Sequence, residues 1–244
     1  MSKQSIFEQL APYAKMTVVP GVTVGQLTYA NTQVLTTAAV FTSVADAAPI
    51  ASSLVGPNTA INLFLGALTE VAQGWTTAMT LSQTNSRFSK GQPPANQVFV
   101  GTHFGVTFSK TGDTSPAAVQ TETLFSADDL FGLLHNFSWD LTIGRGITRT
   151  IGTLMEYPDL ATLYAEVRPS IEVADTVTPD SSAQNGSPWG VSAKLPIPVV
   201  FPPLVNVQIV AQNGSGFNLR DEGNNARNIV LRASFKGFLM TMPV

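Results

Sequence analysis

The side chains that could do chemistry in this chain are few and scattered. Histidine occurs twice in 244 residues, as His103 and His135, and cysteine does not occur. A zinc or redox-metal centre needs three or four converging imidazole, thiolate or carboxylate ligands, and two isolated histidines do not supply them. Without cysteine there is no disulfide framework and no thiolate nucleophile. His103 stands in "NQVFVGTHFGVTFS", where strand alternation places it opposite Val100, Thr102 and Phe104 and half in solvent. His135 closes the run "SADDLFGLLHN", where an imidazolium suits the negative end of a helix. Asp128 and Asp129 are adjacent in that run. Consecutive helical residues diverge by roughly a third of a turn, so the two carboxylates do not make an acid–base pair.

The loops add little. Asp221, Glu222 and Asn224 in "RDEGNN" could lend oxygens to a weak calcium site, but their spacing does not match an EF-hand, and a solvated turn accounts for them. "NGSGFN" lies between strand segments and reads as a turn. No G-x-S-x-G elbow, phosphate-binding loop or dinucleotide fingerprint occurs. Trp75, Trp139 and Trp189 could form a sugar-stacking platform, although packing in a core or interface is the simpler use of them. The sequence therefore predicts no catalytic residue, no cofactor and no resident metal. An enzyme of the cupin type is disfavoured by the same shortage of histidines.

The elements that would carry these residues are mostly strands. "MTVVPGVTVGQLTYA", "TQVLTTAAVFTSV", "NQVFVGTHFGVTFS", "FSWDLTIGRGITRTIGTLMEY", "WGVSAKLPIPVV", "VNVQIVAQ" and "NIVLRASFKGFLM" are rich in Val, Ile, Thr and Phe and are punctuated by Gly, Pro and Asn. Period two puts Val98, Val100, Thr102, Phe104, Val106 and Phe108 on one face of a single strand. "TTAMTLSQTNSRF" and "PSIEVADTV" are further strand candidates. Helices are predicted at four places. "SIFE" reads as a capping box, with Ile6, Phe7 and Leu10 apolar and Pro12 as the stop. Ile61, Phe64, Leu65, Leu68, Val71, Ala72 and Trp75 fall at helical spacing after Asn58 or Thr59. "SADDLFGLLHN" carries Ser126 as cap and two acids in its first turn. "PDLATLYAEV" carries Pro158 at its first position and Leu160, Leu163, Tyr164 and Val167 on one face. The resulting fold class is all-β, an antiparallel sandwich with a few short inserted helices. Residues 1–16 form an N-terminal arm, and residues 17–244 form one domain.

Charge sets the surface. Only 12% of the residues are charged, about half the roughly 25% usual for soluble domains. The net charge of −3 argues against general nucleic-acid binding. Either hydroxyl and amide side chains cover the surface, or much of it is buried against other subunits. The opening "MSKQSIFEQL" lacks the apolar core of a secretory signal. The uncharged stretch Met16–Ala45 is too rich in polar residues to be a membrane helix.

The segment "KLPIPVVFPPLVNVQIVAQ" combines apolar strand with proline. Proline donates nothing to a ladder and sits at edges, strand starts or bulges. Pro196 and Pro198 predict an edge strand that pairs on one side only, and Pro202-Pro203 predicts a turn after it. Such an edge resists aggregation yet can pack side-on against a neighbour. Ile6, Phe7, Leu10, Pro196, Pro198, Phe201, Pro202 and Pro203 are therefore the expected interface residues.

"NQVFVGTHFGVTFS", the helix "SADDLFGLLHN" leading into "FSWDLTIG", and the closing "KLPIPVVFPPLVNVQIV" and "NIVLRASFKGFLM" together resemble jelly-roll capsid proteins. Residues 1–45 hold only Lys3 and Lys15 as bases, unlike the basic arms of small RNA-virus coats. The chain is more similar to the coat proteins of tailless icosahedral bacteriophages with an internal membrane. That resemblance implies one elaborated jelly roll, with a compact double jelly roll as the alternative. It also implies self-association as a trimer or higher, other capsid proteins as partners, and an N-terminal helix touching a neighbour or the inner membrane. The expected location is the virion, after synthesis in the host cytoplasm. The rival expectation is a β-sandwich binding module for carbohydrate or a receptor.

Overall fold

"NQVFVGTHFGVTFS" and "NIVLRASFKGFLM" become two of the three longest strands, and the third joins the end of "MTVVPGVTVGQLTYA" to "TQVLTTAAVFTSV". The structure, a computed structural model, describes residues 8, 10–46, 52–64, 66–67, 84–89, 91–111, 122–123, 125–146, 148–157, 165–167, 181–183, 193–220 and 226–242. Its strands in chain order are β1 (Thr17–Val19), β2 (Val22–Thr23), β3 (Thr28–Thr42), β4 (Val44–Asp46), β5 (Ser52–Val55) and β6 (Ala60–Leu63). They continue with β7 (Gln97–Thr111), β8 (Glu122–Thr123), β9 (Phe137–Ile143), β10 (Arg149–Thr153), β11 (Ala165–Val167) and β12 (Ser181–Ala183). The last four are β13 (Ala193–Phe201), β14 (Val207–Asn213), β15 (Phe217–Leu219) and β16 (Asn228–Thr241). The helix α1 (Ala127–Asn136) starts where Ser126 Oγ accepts the amide of Asp129 and ends with His135 in its last turn.

Two sheets form the body, in the orders β13-β7-β16-β3 and β10-β9-β14-β6, with β8 added beside β7. Numbering the eight strands of these two paths one to eight along the chain makes their logic plain. The first pairs with the eighth (β3–β16) and the second with the seventh (β6–β14). The third pairs with the sixth (β7–β13) and the fourth with the fifth (β9–β10). All four pairings are antiparallel. The chain is thus one long nested hairpin whose successive segments alternate between the two sheets.

The sheets pack face to face through aromatic side chains. Phe104 of β7 stacks on Trp139 of β9 with ring centroids 4.4 Å apart, and Phe108 meets Phe137 at 5.6 Å. Phe64, just after β6, meets Phe235 of β16 at 5.2 Å. Each such pair adds about 0.5–1.5 kcal/mol beyond the area it buries. A second, smaller cluster lies on the outer face of the first sheet. There Val98, Val100, Phe238 and Met240 are covered by Val18 and Val24, with Leu10, Tyr13 and Met16 packed alongside.

β7 does not keep one apolar face. Val98 and Val100 belong to the outer cluster, whereas Phe99, Phe104, Val106 and Phe108 face the space between the sheets. The pairing with β16 explains this, because Gly101 faces Gly237 and His103 faces Lys236, leaving Thr102 as an extra residue. This bulge inverts the parity of the strand. Even-numbered positions point outward before it and inward after it.

Two predicted helices are corrected. Ala60–Leu63 is β6, with Ile61 and Leu63 fully buried and paired alongside β14. Asn58 and Phe64 hold left-handed φ angles of 58° and 59° that bound the strand. An apolar run this short fits either period, and the open ladder edge of β14 decides for strand. Ala165–Val167 is likewise a strand, β11, paired with β12. Residues 65, 68–83, 158–164 and 168–180 lie outside the described residues, and with them most of both expected helices, most of "TTAMTLSQTNSRF" and all of "PSIEVADTV". Gly25 and Val24 donate to the carbonyls of Ala14 and Met16, which ties the arm into the β1–β2 hairpin. Glu8 and Leu10 are helical, and Pro12 sits in the 3-10 turn Ala11–Tyr13 that follows them.

The bulge depends on glycine. A Cβ at Gly237 would overlap the carbonyl oxygen of Val100, and one at Gly101 would lie 2.8 Å from Phe235 Cδ1. Gly237→Ala is expected to lower unfolding free energy by roughly 1–3 kcal/mol, as overpacked sites do, read as a reduced urea midpoint. An unchanged midpoint would mean that the two strands separate there at no cost.

Candidate functional site

Three exposed isoleucines, Ile143, Ile151 and Ile197, lie around one open side of the sandwich. Among the described residues β13 is an edge strand and pairs with β7 alone. Its register advances from Lys194 opposite His103 to Val199 opposite Gly101, so Leu195, Pro196, Ile197 and Pro198 stand against Thr102 by themselves. Two of those four residues have no N–H to give, which removes the reason for the segment to lie flat in the ladder. Leu195 turns inward, Pro196 is exposed, Pro198 is half-buried, and Ile197 is 77% exposed.

β10 is the corresponding edge of the facing sheet. Between the two edges lies a groove of about 510 Å³, walled by Leu141, Ile143 and Ile151 on one side and by Leu195–Val199 on the other. Trp139 and Tyr157 line it as well, and Arg149 brings the one charge among its described lining residues. Burial and the neighbouring Glu156 raise the Tyr157 phenol above its usual pKa, so it stays neutral. The indole N–H of Trp139 is buried without a hydrogen-bond partner. This lining has no nucleophile–base pair, and among the described residues no cluster of His, Asp and Glu could hold a metal. Its chemistry is that of an apolar contact surface with one cation.

The expected site residues divide sharply. Pro196 and Pro198 line the groove, and Pro202 and Pro203 form the half-buried turn after β13, next to Leu204, which is 66% exposed. Phe201 is not an interface residue. It is fully buried, with its ring 5.5 Å from Phe99 and 5.6 Å from Phe235, because the odd positions at the end of β13 face inward. Leu10 packs on the outer cluster of its own chain. Trp139 is fully buried on Phe104 and offers no sugar platform. Ile6, Phe7, Trp75, Trp189, Asp221, Glu222 and Asn224 lie outside the described residues. Asp129 has a structural task, accepting the amide of Arg220 at 2.9 Å and so fastening α1 to the end of β15. Sequence reasoning missed Ile143, Ile151 and Tyr157. Nothing in their local pattern says that β10 would be the edge opposite β13.

His103 lies on the outer face of the first sheet. Burial, then Lys236 and Lys194 beside it, lower its pKa below the usual 6.5. The unfolded chain therefore takes up this proton first as pH falls. Stability linked to His103 is complete above 6.5 and is lost as pH drops toward the folded-state value. Urea midpoints at pH 7.5 and 5.5 should differ less in His103→Gln than in the unsubstituted protein. An equal drop in both would assign the acid sensitivity elsewhere.

No family model, curated protein or solved structure matches this chain.

Proposed function

We propose that the chain is a structural capsid subunit that assembles with copies of itself into an icosahedral shell. The observation that carries this reading is the conjunction of strand order and edge. The order one-eight-three-six facing two-seven-four-five supports reading the sandwich as a single jelly roll, in which two Greek keys would wrap one core. That arrangement serves many functions, so the edge has to narrow the choice. The open side exposes Ile143, Ile151 and Ile197 around a groove while denying a neighbour the ladder itself. A copy of the chain can pack there through side chains without continuing the sheet, which favours closed assembly over fibres.

The 12% charge fits the same use, because surface buried between subunits needs none. The mechanism is burial of apolar edge and loop surface, with closure set by symmetry. Partners are other copies as a trimer or higher, and further capsid proteins, in a tailless shell of the kind built by bacteriophages with an inner membrane. From Leu10 onward the arm packs on its own sheet, so a contact with a neighbour or an inner membrane through the arm rests on residues before it.

Light scattering across concentration tests this, followed by electron microscopy of the largest species. Assemblies at integral multiples of 25.9 kDa are expected. Ile197→Glu, at a side chain 77% exposed, should shift them toward the monomer while moving the urea midpoint by no more than about 0.5 kcal/mol in free energy. A 25.9 kDa monomer at high concentration in the unsubstituted protein would sink the reading.

A further inference from the structure

The outer face of the first sheet holds a second concavity, of about 390 Å³, lined by Thr102, His103, Lys194 and Phe238 below and by Glu8, Pro12 and Tyr13 of the arm above. Its floor is ordered by register. Lys194 on β13 and Lys236 on β16 both stand directly opposite His103 on β7. Strands are about 4.8 Å apart, so the two lysine backbones flank the histidine at about 10 Å from each other. Three nitrogen-bearing side chains thus form one row across three strands.

We propose that this pocket is an oxyanion site that takes a phosphate group between Lys194 and the imidazolium of His103, with Lys236 adding positive charge from the neighbouring strand rather than from the lining. The bulge supplies the ring's orientation. Thr102 Oγ1 donates to the Lys236 carbonyl at 3.2 Å and lies 2.9 Å from His103 Nδ1. A hydroxyl has one hydrogen, so with it on the carbonyl, Nδ1 donates to Oγ1. The neutral ring then carries its lone pair on Nε2, and protonation converts Nε2 into a donor. An anion and a proton therefore bind cooperatively, each strengthening the other. Glu8 and Tyr13 are the other titratable groups lining the pocket, and Glu8 is the carboxylate an incoming anion must displace or tolerate. A space this small, roofed by the arm, suits a free phosphate or a lipid headgroup. The inference is independent of the capsid reading.

The test uses the full chain and nuclear magnetic resonance of its two histidine rings, with His135, on α1, as internal control. Sulfate, whose charge is constant across the range, and inorganic phosphate are the probes. Chloride at equal ionic strength is the reference. Sulfate should raise the apparent pKa of His103 by about one unit, equivalent to tenfold tighter anion binding once the ring is charged. His135 should move no more than in chloride. Lys194→Ala should abolish the shift, and Glu8→Gln should enlarge it. Vesicles of phosphatidic acid and of phosphatidylcholine then separate the sources. Acid-dependent retention on the former alone, lost in Lys194→Ala, identifies a headgroup. No retention, with the soluble probes still effective, identifies a free phosphate. A His103 response equal in chloride and sulfate, or unchanged by Lys194→Ala, overturns the proposal.

Discussion

The structure depends on one strand that must bury both of its faces. β7 runs through the middle of the first sheet, and an unbroken alternation would send either Phe99 or Phe104 away from the inter-sheet core. Thr102 resolves this by stepping out of the pairing with β16. Phe99, Phe104, Val106 and Phe108 then all enter the main core, and Val98 and Val100 are left to the outer cluster. Fully burying side chains of this size is worth about 1.5–3 kcal/mol each. Removing the extra residue would shift the register by one and turn one whole set outward. The N-terminal segment is a consequence of the same step, since Val98, Val100, Phe238 and Met240 would otherwise face water. The β1–β2 hairpin and the arm cover them.

How much of this can be read from sequence differs from element to element. Strand identity is legible in β3, β7 and β16, because long runs of Val, Thr and Phe satisfy only one period. The helix α1 is legible at both ends, from Ser126 to His135. The edge character of β13 is legible from its prolines, which act through a missing donor rather than through context. The bulge is not legible, since "VGTHF" alternates well with or without it and only the partner strand fixes the count. β6 is not legible either, because Ile61 and Leu63 also fit a helix and the choice lies with β14, about 150 residues away. The groove escapes for a similar reason. Its two walls are edges of different sheets, and local pattern does not state which edges face each other. Phe201 shows the cost of reading a proline-marked segment as one surface, because the strand turns inward again before Pro202.

The two candidate surfaces are products of a single discontinuity in the ladder. At the level of Thr102, β16 offers no residue, β7 offers one, and β13 offers the four residues Leu195–Pro198. The excess grows toward the edge, as it must, because only an edge strand has an unpaired side into which extra chain can move. On the open side this pushes Pro196 and Ile197 outward and forms one wall of the apolar groove. On the outer face the same step leaves Lys194, His103 and Lys236 aligned and brings the Thr102 hydroxyl against the imidazole.

This coupling constrains how either surface can work. Lys194 ends the regular pairing of β13 and Leu195 begins the looped segment, so one peptide bond joins the groove wall to the lysine of the polar pocket. A neighbour seated against Ile197 would press on the segment that holds Lys194 in register, and an anion held by Lys194 would stiffen the segment that presents Ile197. Bulges collect where a sheet must aim side chains off its regular lattice, and here one bulge aims two sets in opposite directions. A copy packed against Ile197 and an anion held by Lys194 would therefore both bear on the same segment of β13.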